Sequence, residues 1–210
     1  MLWALANWHF LTGNTQPRSA LDVGCGTGRN TLYLADLGIE VTGFDASDSA
    51  IASAMKRPQA AGSANAPRFL LHDLSQGLPV DAATVDFLAD VFVYKHQLSA
   101  SIRSSYRAEM KRVLTPGGRI LISLAMPDDG YYSTCPNYDT EATSDHGKLR
   151  TVLDPVIMVG SVLFALSDLV EKMSDYFTLE MSWHKRKAGP MHGNTYMRST
   201  LATLWKSKDR

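Results

Sequence analysis

The chain has 210 residues, of which 45% are hydrophobic and 20% charged, a composition typical of a folded globular protein and unlike that of a disordered or fibrous chain. Its 21 basic and 21 acidic side chains give a formal net charge of zero, which disfavours nucleic acid or an anionic membrane as a partner. Cys25 and Cys135 lack the spacing of a metal or redox motif, and no apolar run reaches the ~20 residues of a membrane helix. We therefore expect a cytoplasmic protein with no membrane partner.

As far as Met126, segments with the pattern of strands alternate with segments that have helical spacing. Ser47 is placed to cap one of the helices, and the turn Thr115 to Gly118 is placed to end another. This alternation predicts a parallel sheet with helices on both faces. In chain order we predict strand 20–23, helix 28–37, strand 39–44, helix 47–56, strands 68–71 and 85–89, helix 102–114 and strand 119–126.

The last third of the chain has a different pattern. Residues 127–148 are rich in Asp, Gly, Tyr and Thr without helical spacing, which predicts a long loop of the kind that often forms a lid. The apolar, β-branched run 152–164 is interrupted by Pro155 and Gly160, and Ser167 is placed to cap a short helix that extends to Tyr176. Two final strands, 177–183 and 196–205, follow with no helix between them, so we expect an antiparallel hairpin at a sheet edge.

The segment LDVGCGTGRN, residues 21–30, places Gly24, Gly26 and Gly28 between a predicted strand and a predicted helix. Glycines there allow a ligand to approach the backbone closely, and the helix N-terminus offers unpaired N–H donors. Asp45 ends the next predicted strand, where a carboxylate accepts hydrogen bonds from ribose hydroxyls. The pattern therefore predicts a nucleoside-binding site.

The glycine spacing narrows the choice of nucleoside. It is GxGxG rather than the GxGxxG of dinucleotide folds, and the GxxxxGK[ST] motif of triphosphate-binding loops is absent from the sequence. Asp22 stands two residues before Gly24, and an acid there suits a cationic ligand better than a pyrophosphate.

With these residues the chain resembles the class I S-adenosylmethionine-dependent methyltransferases, in particular the small-molecule methyltransferase-domain families. The resemblance extends from about Arg18 to Met126 and, more weakly, over 167–205. It rests on five motifs in order: LDVGCGTG, the acid of VTGFD, the acid of LLHDL, the run VDFLADVFVYKH and the run RVLTPGGRILI. It implies an α/β, Rossmann-like, mostly parallel sheet of seven strands with helices on both faces, the last strand antiparallel, and an insertion between strands five and six.

The resemblance implies S-adenosylmethionine as cofactor and S-adenosylhomocysteine as product. Each of the matching residues also has a structural interpretation: the glycines as a tight turn, Asp45 as a helix cap, Asp73 as a turn cap, and Asp22 as a partner of loop amides. The residues predicted to bind the cofactor are Asp22, Gly24, Gly26, Gly28, Asp45, Ala46, Asp73, Leu74 and Asp90.

Candidates for the acceptor side of the site follow the fourth predicted strand and lie in the insertion. His96 is a candidate general base and Tyr94 a candidate contact with the acceptor, although each is equally suited to a packing role. Tyr131 and Tyr132 are placed either to border the positive charge of the methyl donor or to anchor a loop. Trp8 belongs to an apolar N-terminal segment that we expect to cover the site.

We predict a single methyltransferase domain over 1–210, with an N-terminal helical cap over 1–17 and a substrate lid over 127–166. The six histidines lack metal-ligand spacing, so no metal is expected. The predicted reaction is in-line transfer of a methyl group to an O, N or S atom of a small molecule, by a monomer or homodimer. The alternatives are an RNA or protein methyltransferase, a non-catalytic relative that binds S-adenosylmethionine and, disfavoured by the loop spacing, a nicotinamide oxidoreductase.

Overall fold

A computed structural model describes residues 16–57, 65–138 and 149–208. Within them the strands are β1 (Ser19–Val23), β2 (Glu40–Asp45), β3 (Arg68–Leu71), β4 (Val85–Val91), β5 (Leu114–Ala125), β6 (Arg150–Asp154), β7 (Val159–Leu163), β8 (Phe177–Met191) and β9 (Asn194–Ser207). The α-helices are α1 (Arg29–Asp36), α2 (Asp48–Met55), α3 (Ala100–Val113) and α4 (Leu166–Met173), and short 3-10 helices cover Leu74–Gln76, Tyr94–His96 and Tyr132–Thr134. In these ranges no helix is long and apolar enough to cross a membrane.

Seven of the strands form one sheet in the order β3-β2-β1-β4-β5-β9-β8. β1 pairs in parallel with β2 and with β4, and β2 pairs in parallel with β3. The last strand of the chain is antiparallel to the others in this sheet. Strands β6 and β7, which follow β5 and precede β8 in the chain, do not belong to the seven-stranded sheet and pair with each other in antiparallel fashion. The predicted α/β sheet of seven strands, with an insertion after the fifth, is therefore confirmed.

The chain forms two compact units. The first comprises 1–90, 109–121 and 206–210, and the second comprises 91–108 and 122–205. The single domain over 1–210 and the lid over 127–166 stay predictions. The predicted N-terminal cap falls almost wholly on residues 1–15, which lie outside the described residues, as does the stretch 139–148.

Several local predictions need correction. β5 begins at Leu114, so the sequence from Thr115 to Gly118 lies within a strand, where the positive φ of Gly117 (73°) accommodates the chain. Helix α4 is capped by Ala165, not Ser167, because the Asp168 carboxylate accepts the Ala165 N–H, and the helix ends at Met173 rather than Tyr176.

Three other local features agree with the sequence in outline. Ser47 caps α2 as predicted, accepting the Ala50 N–H. The run 152–164 contributes to β6 and β7, with Gly160 inside β7 rather than interrupting it. His192 and Gly193 join β8 to β9 with φ of 47° and 81°, and positive φ at both positions is typical of a tight hairpin turn.

In the first unit, α1 packs closely on β2 at Gly43. A Cβ atom at this position would lie 2.5 Å from Thr31 Oγ1 and 3.0 Å from Cys25 Cβ. Thr31 is itself buried and donates its hydroxyl to Asp22, so it is not free to move aside. The strand therefore requires a residue without a side chain where the helix crosses it.

We expect Gly43→Ala to lower the free energy of unfolding by about 1–3 kcal/mol, because the new methyl group overpacks this contact. Urea denaturation measures the change. Thr31→Ala removes the colliding atoms, so the double variant should be less destabilised than the sum of the two single variants. Additive losses would show that the contact does not limit packing at Gly43.

Candidate functional site

The glycine loop after β1 is held in a left-handed backbone conformation. Gly24, Gly26 and Gly28 have φ of 56°, 55° and 80°. The loop is closed by hydrogen bonds from the Cys25 N–H to the Phe44 carbonyl (2.9 Å) and from the Gly28 N–H to the Cys25 carbonyl (3.0 Å). A Cβ atom at Gly26 would meet nothing within 4 Å, so the loop backbone borders open space at that residue.

Asp45, at the end of β2, is joined directly to this loop. Its Oδ2 accepts the Gly26 N–H at 2.9 Å, and its Oδ1 accepts the Ser47 N–H at 2.9 Å. Each carboxylate oxygen has a further lone pair, so the half-buried group retains capacity for two hydroxyl donors. The vicinal hydroxyls of a ribose have the matching donor chemistry. Ala46 follows Asp45 directly and lies between β2 and α2.

Asp22 is buried and directed at α1 rather than at solvent. Burial, with a smaller contribution from the negative charge of Asp90, raises the pKa of its carboxyl to about 7 against opposing hydrogen bonds from Thr31. The Thr31 hydroxyl donates to Asp22 Oδ2 at 2.6 Å. These contacts make Asp22 a residue that holds the strand, loop and helix together, and direct contact with the cofactor stays a prediction.

The other two acids follow the neighbouring strands. Asp73, after β3, caps the short helix that begins at Leu74 by accepting the Ser75 N–H at 2.8 Å, and these hydrogen bonds lower its pKa. Asp90 is fully buried near the end of β4, where it is in register with Val23. Carboxyl ends of parallel strands meet at one edge of a sheet, so the sheet places the predicted cofactor residues on a common edge of the first unit.

In the second unit, three aromatic candidates are engaged in packing. Tyr94 is fully buried, and its hydroxyl accepts from Arg107 at 2.9 Å. Tyr131 and Tyr132 are also buried: the first donates its hydroxyl to Asp154 (2.7 Å), and the hydroxyl of the second accepts from Lys95 (2.7 Å). These contacts are those of anchoring residues, so roles in catalysis or substrate binding stay predictions. Trp8 lies outside the described residues.

His96 has a defined tautomer. Its Nδ1 lies 2.8 Å from the Gly160 carbonyl, which only accepts, so Nδ1 carries the hydrogen and Nε2 carries the lone pair. Within the described part of the chain no residue is hydrogen-bonded to Nε2. Burial and the charge of Lys95 lower the pKa of His96 to about 4, so the ring is neutral at pH 7 and offers an acceptor atom.

Lys95 is a residue whose importance the sequence does not reveal. It is 1% exposed, and its Nζ donates to Tyr132 Oη (2.7 Å) and to Ser161 Oγ (2.9 Å). Burial and the nearby Arg198 lower the pKa of Lys95 to about 8, against the attraction of buried acids. A single lysine in a turn normally faces solvent, and the partners of this one lie 37 and 66 residues further along the chain.

Two buried acids hold the insertion in place. Asp129 accepts the backbone N–H groups of Tyr131, Tyr132 and Ser199 and pairs with Arg198 at 2.9 Å. Burial raises the pKa of Asp154, but hydrogen bonds from His192, Tyr131 and two backbone N–H groups outweigh it and lower the pKa to about 2. Neither acid stands in a recognisable sequence motif.

The family can be assigned over part of the chain. Residues 20–118 match the family model described as "Methyltransferase domain". This part of the chain carries a methyltransferase domain of the class I, S-adenosylmethionine-dependent type. An uncharacterized methyltransferase of Synechocystis is 32% identical over 114 residues, which make up 53% of this chain and 50% of that protein. The match thus spans half the length of that curated relative.

Solved structures of methyltransferases share the fold of this domain. A methyltransferase from Methanosarcina mazei has a TM-score of 0.70 at 22% identity, covering 90% of this chain and 91% of its own. The 1,6-didemethyltoxoflavin-N1-methyltransferase of Burkholderia thailandensis, solved with S-adenosylhomocysteine, has a TM-score of 0.66 at 24% identity, covering 98% and 77%.

The cofactor of this methyltransferase domain is S-adenosylmethionine. The residues of the first unit fit it, because Gly26 leaves open space beside the loop backbone and Asp45 offers acceptors for ribose hydroxyls. Within the described residues no cluster of side chains is suited to a metal ion.

We expect Gly26→Ala to weaken binding of S-adenosylhomocysteine about tenfold or more, because the methyl group enters the space from which a ligand approaches the backbone. Gly193→Ala is the matched control, since Gly193 also has positive φ (81°) and open space around it. Both variants should lose about 1–2 kcal/mol of stability from the strained φ. Equal calorimetric affinity in the two variants would contradict a cofactor role for the loop.

We expect Lys95→Met to raise the pKa of His96 above about 4, because a neighbouring positive charge is removed. Titration of the histidine ring by NMR measures the pKa, and the nitrogen chemical shifts report the tautomer. Lys185→Met, which removes an exposed charge from the same unit, is the control and should leave His96 unchanged. A His96 pKa that is the same in both variants would refute the coupling.

Proposed function

We propose that this protein transfers a methyl group from S-adenosylmethionine to an O, N or S atom of a small molecule. The observation that carries the proposal is the hydrogen bond between the Gly26 N–H and Asp45 Oδ2, 2.9 Å long, which joins an open glycine loop to a carboxylate with spare acceptor capacity. When bound there, the cofactor supplies an electrophilic methyl group on a sulfonium.

The residues of the first unit have distinct proposed roles. Asp45 binds the ribose hydroxyls, and the loop backbone at Gly26 lies against the cofactor. Asp22 fixes the position of helix α1 relative to strand β1 through its hydrogen bond with Thr31, and this keeps the loop between them open. Positioning of donor and acceptor is the main requirement of a displacement at a methyl group, and it supplies up to ~7–11 kcal/mol in favourable cases.

His96 is proposed to accept a hydrogen bond from the methyl acceptor through Nε2. Its lowered pKa makes it a weak proton acceptor, so an orienting role suits it better than general-base catalysis. This favours substrates whose nucleophilic atom needs little help, such as a neutral amine or ring nitrogen or a thiolate, over simple alcohols. The Burkholderia relative, named as an N1-methyltransferase, is one of the similar folds that act on a small molecule.

Calorimetry with S-adenosylmethionine, S-adenosylhomocysteine and NADH tests the cofactor assignment. We expect binding of the first two only. Asp45→Asn should weaken both about ten- to hundredfold, since a hydrogen bond to a charged group contributes ~1.5–3 kcal/mol. Asp48→Asn removes the same charge three residues away, in the first turn of α2, and should leave affinity unchanged. Binding of NADH, or equal losses in both variants, would contradict the proposal.

Incubation with a methyl-labelled donor and fractionated cell extract tests the acceptor class. The label should appear in the small-molecule fraction and should be lost in Asp45→Asn. Label in the RNA or protein fraction would assign the domain to a different substrate class. Cofactor binding without transfer to any fraction would instead identify a non-catalytic relative.

A further inference from the structure

Arg107 is a charged residue on the buried face of helix α3. It is 9% exposed, and Arg103 and Tyr106 on the same face are 1% and 3% exposed. Arginine stays charged in proteins, and a buried charge is tolerated only when oxygen atoms accept hydrogen bonds from its N–H groups. The atoms that accept hydrogen bonds from Arg107 therefore show whether its own chain satisfies it.

Part of the Arg107 guanidinium lacks an acceptor. Nη1 donates to the Tyr94 hydroxyl at 2.9 Å, and it is the only nitrogen of this side chain that donates to a described residue. Nε is buried without a hydrogen-bond partner, and among the buried side chains of 16–57, 65–138 and 149–208 it is the only nitrogen or oxygen in that state. A buried donor on a charged group is strongly unfavourable without an acceptor, so Nε points to a ligand that supplies one.

The helix that carries Arg107 does not supply that acceptor. One turn away in either direction α3 has Arg103 and Lys111, both of them basic. The acid of this helix, Glu109, pairs with Arg112 at 2.7 Å. Within the part of the chain that the structure describes, no carboxylate forms an ion pair with Arg107.

The other fully buried cations of the second unit are satisfied by oxygens of the chain itself. Lys95 donates to two hydroxyl oxygens, at 2.7 and 2.9 Å. Arg103 donates from Nη1 to two backbone carbonyl oxygens, at 2.8 and 2.6 Å. Arg107 differs from both, because the N–H groups of its Nε and Nη2 have no such acceptors in the described residues.

We propose that the edge of the Arg107 guanidinium formed by Nε and Nη2 is a binding site for the carboxylate group of a small molecule. The N–H groups of this edge are coplanar and point the same way, so they donate side by side to the two oxygens of one carboxylate. Tyr94 holds the guanidinium through Nη1 and so fixes the direction of the edge. The inference is independent of methyl transfer, since Arg107 and Tyr94 both belong to the second unit.

The surroundings of the site favour a carboxylate over a phosphate. The ring of Tyr94 packs against Phe164 and Tyr106, with 5.4 and 6.1 Å between ring centroids, and all three rings are buried. In such apolar surroundings a ligand binds best when it neutralises the guanidinium without leaving a net charge. A carboxylate carries one negative charge and meets this condition, whereas a phosphate dianion leaves one charge uncompensated at Arg107.

Titration of the full chain with sodium acetate tests the site, with sodium chloride at equal ionic strength as the reference. NMR observes the Nε–H group of each arginine, and the signal of Arg107 is the one missing from the Arg107→Lys variant. We expect acetate to shift this signal to saturation and to raise Tm about 2–4 °C above the value in chloride, because a ligand of the folded state stabilises it. A signal that does not respond to acetate, or responds equally to chloride, would overturn the proposal.

Variants of Arg107 separate the two-donor edge from the charge alone. Arg107→Lys keeps the positive charge without the edge and should bind acetate about tenfold or more weakly, whereas Arg107→Met should not bind it. Arg119→Met is the matched control, since it removes another buried arginine (7% exposed) from β5 and should respond to acetate as the native chain does. Equal losses in Arg107→Lys and Arg119→Met would refute the site, and circular dichroism confirms that each variant is folded.

Inorganic phosphate in place of acetate tests the chemical class of the ligand. We expect weaker binding of phosphate at pH 8, where it is a dianion, because its second charge stays uncompensated at Arg107. Tighter binding of phosphate than of acetate would overturn the assignment to a carboxylate.

The carboxylate has two possible sources, the methyl acceptor or a separate ligand, and the labelled-methyl assay distinguishes them. If the acceptor carries it, the labelled product binds an anion-exchange resin, and Arg107→Lys forms less of it at unchanged affinity for S-adenosylhomocysteine. If a separate ligand carries it, Arg107→Lys forms the labelled product at the native rate. The acetate titration needs no methyl transfer, so failure of the proposed function and failure of this site are told apart.

Discussion

The first unit depends on the hydrogen bond between the Gly26 N–H and the Asp45 carboxylate. It joins the loop after β1 to the end of β2, two neighbouring parallel strands whose carboxyl ends lie on the same edge of the sheet. The loop tolerates this closure because its glycines adopt positive φ, and the helix behind it packs closely because Gly43 has no side chain. Removing any one of these features changes the shape of the glycine loop. The contacts that pack this unit therefore also set the conformation of the loop proposed to bind the cofactor.

In the second unit, buried charged side chains hold the segments together, whereas glycines have that role in the first unit. Asp129 and Asp154 each satisfy several donors from separate segments, and Lys95 is held between Tyr132 and Ser161. Buried ions are tolerated only when they are paired or hydrogen-bonded, which restricts how the insertion can fold. This network has two chemical consequences: His96 is kept neutral with its lone pair on Nε2, and the apolar turn after Asp154 is kept rigid. The described residues of the insertion are therefore held in one conformation by buried polar contacts, and the turn between β6 and β7 exposes apolar side chains.

Much of the first unit is predictable because its determinants are local. The order of strands and helices, the cap at Ser47 and the glycine loop all follow from residues close together in the chain. The predictions that were wrong concern short segments whose residue types permit two different local structures. Ser167 has a capping side chain, but Asp168 captures the Ala165 N–H and sets the start of the helix. The sequence from Thr115 to Gly118 has the composition of a turn, yet it continues β5 because Gly117 bends without breaking the strand.

The sequence by itself determined the family and the glycine loop between strand and helix, since five motifs in order require no knowledge of long-range contacts. Only the tertiary structure showed which contacts the acceptor-side candidates make. Tyr94, Tyr131 and Tyr132 are suited by type to contact a substrate, but burial and hydrogen bonding engage all three in packing. Lys95 and Asp154 are the opposite case, because no sequence motif marks either residue. Each is buried and hydrogen-bonded in the folded chain to a residue far away in the sequence. The physical reason is that burial, which sets both pKa and hydrogen-bonding need, is a property of the folded chain and not of any local pattern.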